Sequence, residues 1–454
     1  MKKILKVMAL TIGIMSTAVL TSFADGWTKE NNQWVYYQQG SKIYNDWKTG
    51  ADGSYFYLGN NGNMVTNSFI DGERYVDSDG KMVTNTWRQI DSKWYFFDNN
   101  GKMIKSRSKQ INSNWYFFDD MGVMQTGWVY DNGDWYYCDA NAGGRMLTNT
   151  WRNIEPDPEM IYDDSNSSFY PEDNKFWFYF MSTGKVCKSE SSGRFREIMI
   201  NDHRYAFDEF GRMQTGWVKL EDKTPQIAGY KYYNDSSNIG VYGAAHQGWL
   251  SAYPPEEQGF GTDVEWFYFG SNGVPYYGSD VSNGGEDEEV LEAKFKRLDK
   301  NGKSMTYLFN EYGNPVHGLR KVRRSNGVVT SMYFGTKQES CLQLGDKTIT
   351  DANGETKTFY FDSRGYGYNG VKNGKLYYMG LLQKAVDSSF AYYQLPGSSD
   401  IWLVSKSGNI VKNKNIKTKE DYVDYQSDAQ GKKGPKATED VSELIEPAFE
   451  VSYI

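Results

Sequence analysis

Scarcity narrows this 454-residue sequence before any motif does. Cysteine occurs only at Cys138, Cys187 and Cys341, an odd number spread far apart, which leaves no disulfide framework and no zinc-finger spacing. One pair could be oxidised, but the simpler expectation is three isolated small residues in strands. Histidine is equally sparse: His203, His246 and His317 have no ligand spacing, and each reads as a turn or surface residue. Nucleophile elbows, phosphate-binding glycine loops and Cys–His protease signatures are absent. A paired-carboxylate glycosidase leaves no regular spacing and stays open on motif alone. Beyond the first residues no apolar run approaches the ~20 residues a bilayer span requires. Leu395-Pro396-Gly397 is not followed by the hydrophobic stop and basic tail of a sortase-type anchor. Positive charge is in deficit as well: Lys and Arg number 50 against 58 acids, a net charge of −8. Such a surface repels phosphate backbones, so no nucleic-acid partner is expected.

The N-terminus has the form of a secretory leader. Lys2, Lys3 and Lys6 precede an uncharged stretch from Val7 to Leu20, and Ser22-Phe23-Ala24 supplies a small-x-small cleavage site. Cleavage after Ala24 removes three lysines and takes the net charge from −8 to −11. A secreted protein associated with the cell surface, with no transmembrane segment, is the expectation.

Against these absences stands an abundance of rings. Tyr, Phe and Trp number 36, 24 and 14, together 16% of the chain, and Gly numbers 46. Large flat side chains with turn formers suit short strands and tight turns. The stretch from Trp87 to Trp128 contains one unit almost twice. Trp94-Tyr95-Phe96-Phe97-Asp98 precedes Gly101-Lys102-Met103, and Trp115-Tyr116-Phe117-Phe118-Asp119 precedes Gly122-Val123-Met124. A period of ~20 residues marks stacked repeats, because one such unit cannot bury its apolar face alone. The leading aromatic sits seven residues before a turn glycine at Tyr55/Gly62, Trp94/Gly101, Trp115/Gly122, Trp177/Gly184 and Trp266/Gly273. The run Lys93 to Phe97 is predicted to form one strand, Asp98-Asn99-Asn100-Gly101 the hairpin turn, and Lys102-Met103-Ile104 the return. Similar Asp/Asn-rich turns at 59–62, 77–80, 119–122, 299–302 and 351–354 lack the carboxylate register of a calcium loop, so no metal is expected.

The predicted fold is all-β, a solenoid of stacked β-hairpin repeats of ~20 residues, irregular in the C-terminal half. The expected divisions are a leader over 1–24, regular repeats over 25–155, repeats with loop insertions over 156–283, degenerate hairpin repeats over 284–411, and a loosely ordered polar tail over 412–454 that could cap the array. Within these, Gly284 to Arg297 suits a short helix and a solvated charged strand or loop about equally. Period-two alternation puts Trp94 and Phe96 on one strand face and Tyr95 and Phe97 on the other. One face is expected to pack inward, with Met82, Met103 and Met124 filling gaps between layers. The other would present rings outward. The Trp that opens each hairpin adds a second indole seven residues away: Trp27 with Trp34, Trp87 with Trp94, Trp128 with Trp135.

The segment TGWVYDNGDWYYCDANAGGRMLTNTW and its neighbours resemble the cell-wall-binding repeats of Gram-positive surface proteins, a family that includes choline-binding and glucan-binding modules. The resemblance implies ligand sites between successive repeats, where aromatic side chains surround a trimethylammonium group. The boxes it implies are Trp27/Trp34/Tyr57, Trp47/Tyr55/Tyr75, Trp87/Trp94/Phe117 and Trp128/Trp135/Tyr179, the next repeat's third-position aromatic closing each. Arg107 stands where a Trp is expected and Glu73 where the leading aromatic should be, so those interfaces depart from the pattern. The negative π-face of a ring attracts a quaternary amine by ~0.5–2 kcal/mol. The same rings could stack on sugars, and for any one Trp core packing is a serious rival. The implied function is a non-catalytic envelope-binding adhesin whose partner is a choline-decorated teichoic acid. A glycan-binding lectin is the alternative, and a cryptic wall hydrolase a more distant one. No cofactor is expected. The C-terminal half is a candidate surface for a second surface protein.

Overall fold

The computed structural model describes residues 25–160, 173–257, 259–278, 282–283, 289–350, 354–386, 389–417, 424–433 and 444–445. The expected leader over 1–24 and part of the 351–354 turn lie outside the described residues. The chain divides into two compact units after Cys187. The secondary structure is strands, turns and short 3-10 segments.

In the first unit, antiparallel hairpins follow one another along the chain. They pair Gly26–Glu30 with Gln33–Gln38, Asp46–Thr49 with Tyr55–Leu58, Ser68–Ile70 with Arg74–Val76, and Thr86–Ile90 with Lys93–Phe97. Next come Arg107–Ile111 with Asn114–Phe118, Gly127–Asp131 with Asp134–Asp139, and Thr150–Ile154 with Phe176–Phe180. The hairpin tip is therefore not the Asp98–Gly101 turn that the sequence suggested. It is Asp91-Ser92, both left-handed at φ 49° and 64°, and likewise Asn112-Ser113 at 48° and 65°. Such paired left-handed residues match the twist of a two-residue hairpin. They went unnoticed because neither tip contains glycine. Asp98–Gly101 is a second turn, which returns the chain to a single bridge between Phe97 and Met103. Asp98 organises it by accepting from the N–H groups of Asn100 and Lys102, both at 2.9 Å.

That second turn joins one hairpin to the last. Gly101 has φ 73°, and a Cβ there would lie 2.7 Å from Met82 Sδ. Gly122 repeats this at φ 80° against Met103. The methionines thus fill the gaps between layers, as expected, and each presses on a glycine that no side chain could replace without displacement. The residue at the bridge then reaches back one hairpin: Met103 N–H donates to Glu73 O and Met124 N–H to Trp94 O, each at 2.8 Å.

Both faces of a central hairpin are covered, so the expected split into a core face and an open face does not hold. Tyr95 and Phe97 pack with Val83 and Tyr75 on one side. Phe96 packs with Tyr116, Phe118 and Ile111 on the other. A hairpin between two neighbours has no free face; what remains open is its rim, where Trp94 and Trp115 are 42% and 40% exposed.

The second unit begins on the same plan, with hairpins at Arg196–Ile200/His203–Phe207, Gly216–Lys219/Tyr230–Tyr233, Gly248–Ala252/Glu265–Phe269 and Lys296–Lys300/Lys303–Tyr307. It then becomes irregular, as expected. Glu289–Glu292, where a helix and a charged strand or loop were equally expected, is a strand lying parallel to Leu319–Arg323. A five-stranded sheet gathers the segments between Gly345 and Leu382. The tail is partly built into the fold: Asn415–Lys417 pairs with Asp424–Gln426, and Leu444–Ile445 lies parallel to Tyr392 and Tyr393. The three cysteines are buried. His246, expected in a turn or at the surface, lies outside the strands but is buried, with Nδ1 2.8 Å from Asn234 Oδ1.

The glycine–methionine contact yields a test. Gly101→Ala should lower stability by about 2–4 kcal/mol, from the left-handed backbone plus overpacking against Met82. Gly72→Ala, with φ 70° and open space around it, should cost only about 1–2 kcal/mol. Urea unfolding of both variants measures the difference; equal losses would mean that the methionine contact contributes nothing.

Candidate aromatic boxes

The indole that opens a hairpin lies directly across the strand pair from the third aromatic of the return strand: Trp87 opposite Phe96, Trp128 opposite Tyr137. Trp94 and Trp135, two residues earlier on the return strand, share that face. The two indoles meet edge to face, Trp87 with Trp94 at 6.5 Å and 82°, Trp128 with Trp135 at 6.2 Å and 86°. Their positions are fixed from the neighbouring hairpins. Trp94 O accepts from Met124 N–H, and Trp135 O from Val186 N–H at 2.9 Å. The indole N–H of Trp128 donates to Glu155 O at 2.8 Å.

The third wall comes from the next hairpin, but not from the residue the sequence named. Trp87 meets Tyr116 at 4.8 Å and Phe118 at 5.7 Å. Trp128 meets Phe178 at 4.9 Å. Phe117 turns the other way, onto Tyr136 at 5.0 Å, and Tyr179 pairs with Trp151 at 5.1 Å. The reason is the strand period: a shift of one residue moves a side chain to the opposite face. Of the four expected boxes, two are therefore complete, as Trp87/Trp94/Tyr116 and Trp128/Trp135/Phe178, the second widened by Tyr130, 4.9 Å from Trp135.

The other two expected boxes are altered in the same way. Trp27 meets Phe56 at 5.3 Å, whereas Tyr57 belongs with Trp47 at 5.2 Å. Lys29 Nζ lies 5.1 Å from the Trp34 ring, so a cation from the chain itself stands at this site. Beyond Trp47 and Tyr55, Tyr75 faces away, onto Phe69 at 5.1 Å and Phe97 at 6.3 Å. The strand position that would close this box holds Arg74, ion-paired with Asp71. A guanidinium in place of a ring repels a cationic ligand. At the next departure the register puts Ser108, not Arg107, opposite Phe117 in the place of the opening Trp. That interface keeps Trp115, Phe117 and Tyr136 but lacks the opening indole. Among the described residues, no lysine or arginine stands over the rings of the two complete boxes.

Three segments match known repeat families: residues 41–81 and 107–151 match choline-binding repeats, and 85–103 a cell wall binding repeat. Over these three segments the chain is similar to choline-binding and cell wall binding repeats. The matched segments include Trp87, Trp94 and Tyr116, and also Trp128 and Trp135 of the second box. A search of curated proteins finds no match. Among solved structures, the modular autolysin LytC of Streptococcus pneumoniae superposes at 18% identity over 64% of this chain, with a TM-score of 0.38. This chain spans 52% of that protein's length. Choline binding protein F and CbpJ, both of Streptococcus pneumoniae, each superpose at 18% identity over 72% of this chain, with TM-scores of 0.39, covering 98% and 99% of their own lengths.

Two residues of one box should separate stability from recognition. Trp87 is wedged between hairpins, so Trp87→Ala should cost about 3–5 kcal/mol. Trp94 sits on the rim, and Trp94→Ala should cost about 1 kcal/mol or less. Urea midpoints of the two variants test this; an equal loss would place Trp94 in the core.

Proposed function

We propose that this chain is an exported, non-catalytic protein that attaches to choline-bearing polymers of the bacterial cell wall through Trp87/Trp94/Tyr116 and Trp128/Trp135/Phe178. The observation that carries this reading is the recurrence, at two separate interfaces, of a perpendicular indole pair closed by a ring of the next hairpin. Electron-rich faces converging from three directions suit a cation that donates no hydrogen bonds, such as trimethylammonium. Each face contributes ~0.5–2 kcal/mol, so one box alone gives an affinity near the millimolar range. Two boxes on one unit, facing a polymer with many choline groups, gain strength because the second contact forms at high effective concentration. The match to choline-binding repeats favours this ligand over a neutral glycan. The net negative charge favours a cationic group as well.

The chain should be retained on a quaternary-amine resin at moderate salt and released by free choline. Trp94→Ala combined with Trp135→Ala should sharply weaken retention while leaving the circular dichroism spectrum unchanged. Elution by neutral glucan rather than by choline would replace this reading with a lectin, and release of soluble fragments from purified walls would contradict the absence of catalysis.

A further inference from the structure

A further complete box lies in the second unit, and a cation already sits in it. Trp249 and Trp266 meet edge to face at 6.2 Å and 82°, the geometry of Trp87 with Trp94. Tyr307 of the next hairpin closes on Trp249 at 4.7 Å, and Phe309 lies at 6.2 Å and 28°, matching Tyr116 and Phe118. The correspondence extends to the second turn, since Tyr307 precedes Gly313 by the same interval as Tyr116 precedes Gly122.

The hairpin that closes this box differs at its tip. From the two-residue tip Asn112-Ser113 the chain reaches Tyr116 on the third residue; from Asn301-Gly302 it reaches Tyr307 on the fifth. Two further residues on each strand carry the tip outward, and the first strand ends in Asp299 and Lys300. Asp299 O accepts from the Trp249 indole N–H at 3.0 Å, which ties the tip to the box. Lys300 then turns inward. Its Nζ lies 3.9 Å from the Trp266 ring centre and 4.7 Å from that of Trp249. Lys300 is half-buried. An ammonium at these distances from two indole faces occupies the place where a bound cation would gain most.

We infer that Trp249, Trp266 and Tyr307 form a quaternary-ammonium site held closed by Lys300, a ligand built into the neighbouring hairpin. As a tethered competitor, Lys300 meets the box at high effective concentration, and a free amine binds only by displacing it. The site is thus latent at low choline and opens where choline groups are dense. The inference rests on the reading that three-ring boxes in this chain bind quaternary amines, and the experiment separates the two.

Choline bound per full-length chain is counted by equilibrium dialysis for the wild type and for Lys300→Met, which keeps the stem but removes the charge. Lys300→Met should bind one further choline, Lys300→Arg should match the wild type, and Trp266→Ala added to Lys300→Met should remove the extra site. An unchanged count in Lys300→Met, with choline still bound through Trp94 and Trp135, overturns the inference alone. Choline binding in Lys300→Met but not in the wild type supports it and overturns the reading of the first unit. No binding in either overturns both. A second measurement needs no variant: in the wild-type chain Lys300 should acylate more slowly than exposed Lys303, and saturating choline should remove that protection. Protection unaffected by choline overturns the inference.

Discussion

The wedge of one indole between two hairpins is the contact on which this architecture depends. Trp87 touches Phe96 across its own strand pair and Tyr116 and Phe118 on the next hairpin. Trp128, Trp217 and Trp249 make the same three-way contact with Tyr137, Phe178 and Phe180, with Tyr232, Phe267 and Phe269, and with Tyr268, Tyr307 and Phe309. A two-stranded hairpin is marginal alone in water. Stacking lets each one bury both faces, and the indole is large enough to span the gap. The cost of using so large a plate is that its edge and part of its face remain at the rim, and a second ring on that rim makes a concavity. Under the proposed reading, recognition and stability share a residue at each interface.

The boxes differ by what else reaches the rim. At Trp87 and Trp128 the rings stand clear of basic side chains among the described residues. At Trp217 the chain covers its own site: Phe260 packs on Tyr230 at 6.1 Å, the Tyr230 hydroxyl donates to Glu257, and Lys219 joins Glu257 at 3.0 Å. Arg74 closes the site beyond Trp47 by replacing a ring with a charge. One scaffold therefore yields open, capped and charge-blocked interfaces through changes of a few residues at strand ends and tips.

Much of this was legible in the sequence. The recurrence of aromatic clusters seven residues before a glycine gave the hairpins, the methionines gave the packing between layers, and the paired indoles gave two walls of each box. The third wall was misassigned by one residue each time. Alternation fixes which residues share a face, but not which face meets the hairpin before and which the hairpin after; only stacking decides between Tyr116 and Phe117. Tips such as Asp91-Ser92 were hidden because their left-handed conformation is imposed by the twist of the strands rather than announced by glycine. The Trp249 box escaped because a loop separates Trp249 from Trp266 and breaks the seven-residue spacing. The Trp266–Gly273 interval was nonetheless regular, but 299–302 read as another Asp/Asn-rich turn, and that Asn301-Gly302 is the hairpin tip emerges only from the strand pairing.

The most direct test of the account is a crystal structure of the full chain grown with choline. Trimethylammonium density should lie inside Trp87/Trp94/Tyr116 and Trp128/Trp135/Phe178, bounded in each case by rings of two successive hairpins. Density on the side of Phe117 and Tyr136, or choline found only away from the interfaces between hairpins, would contradict it.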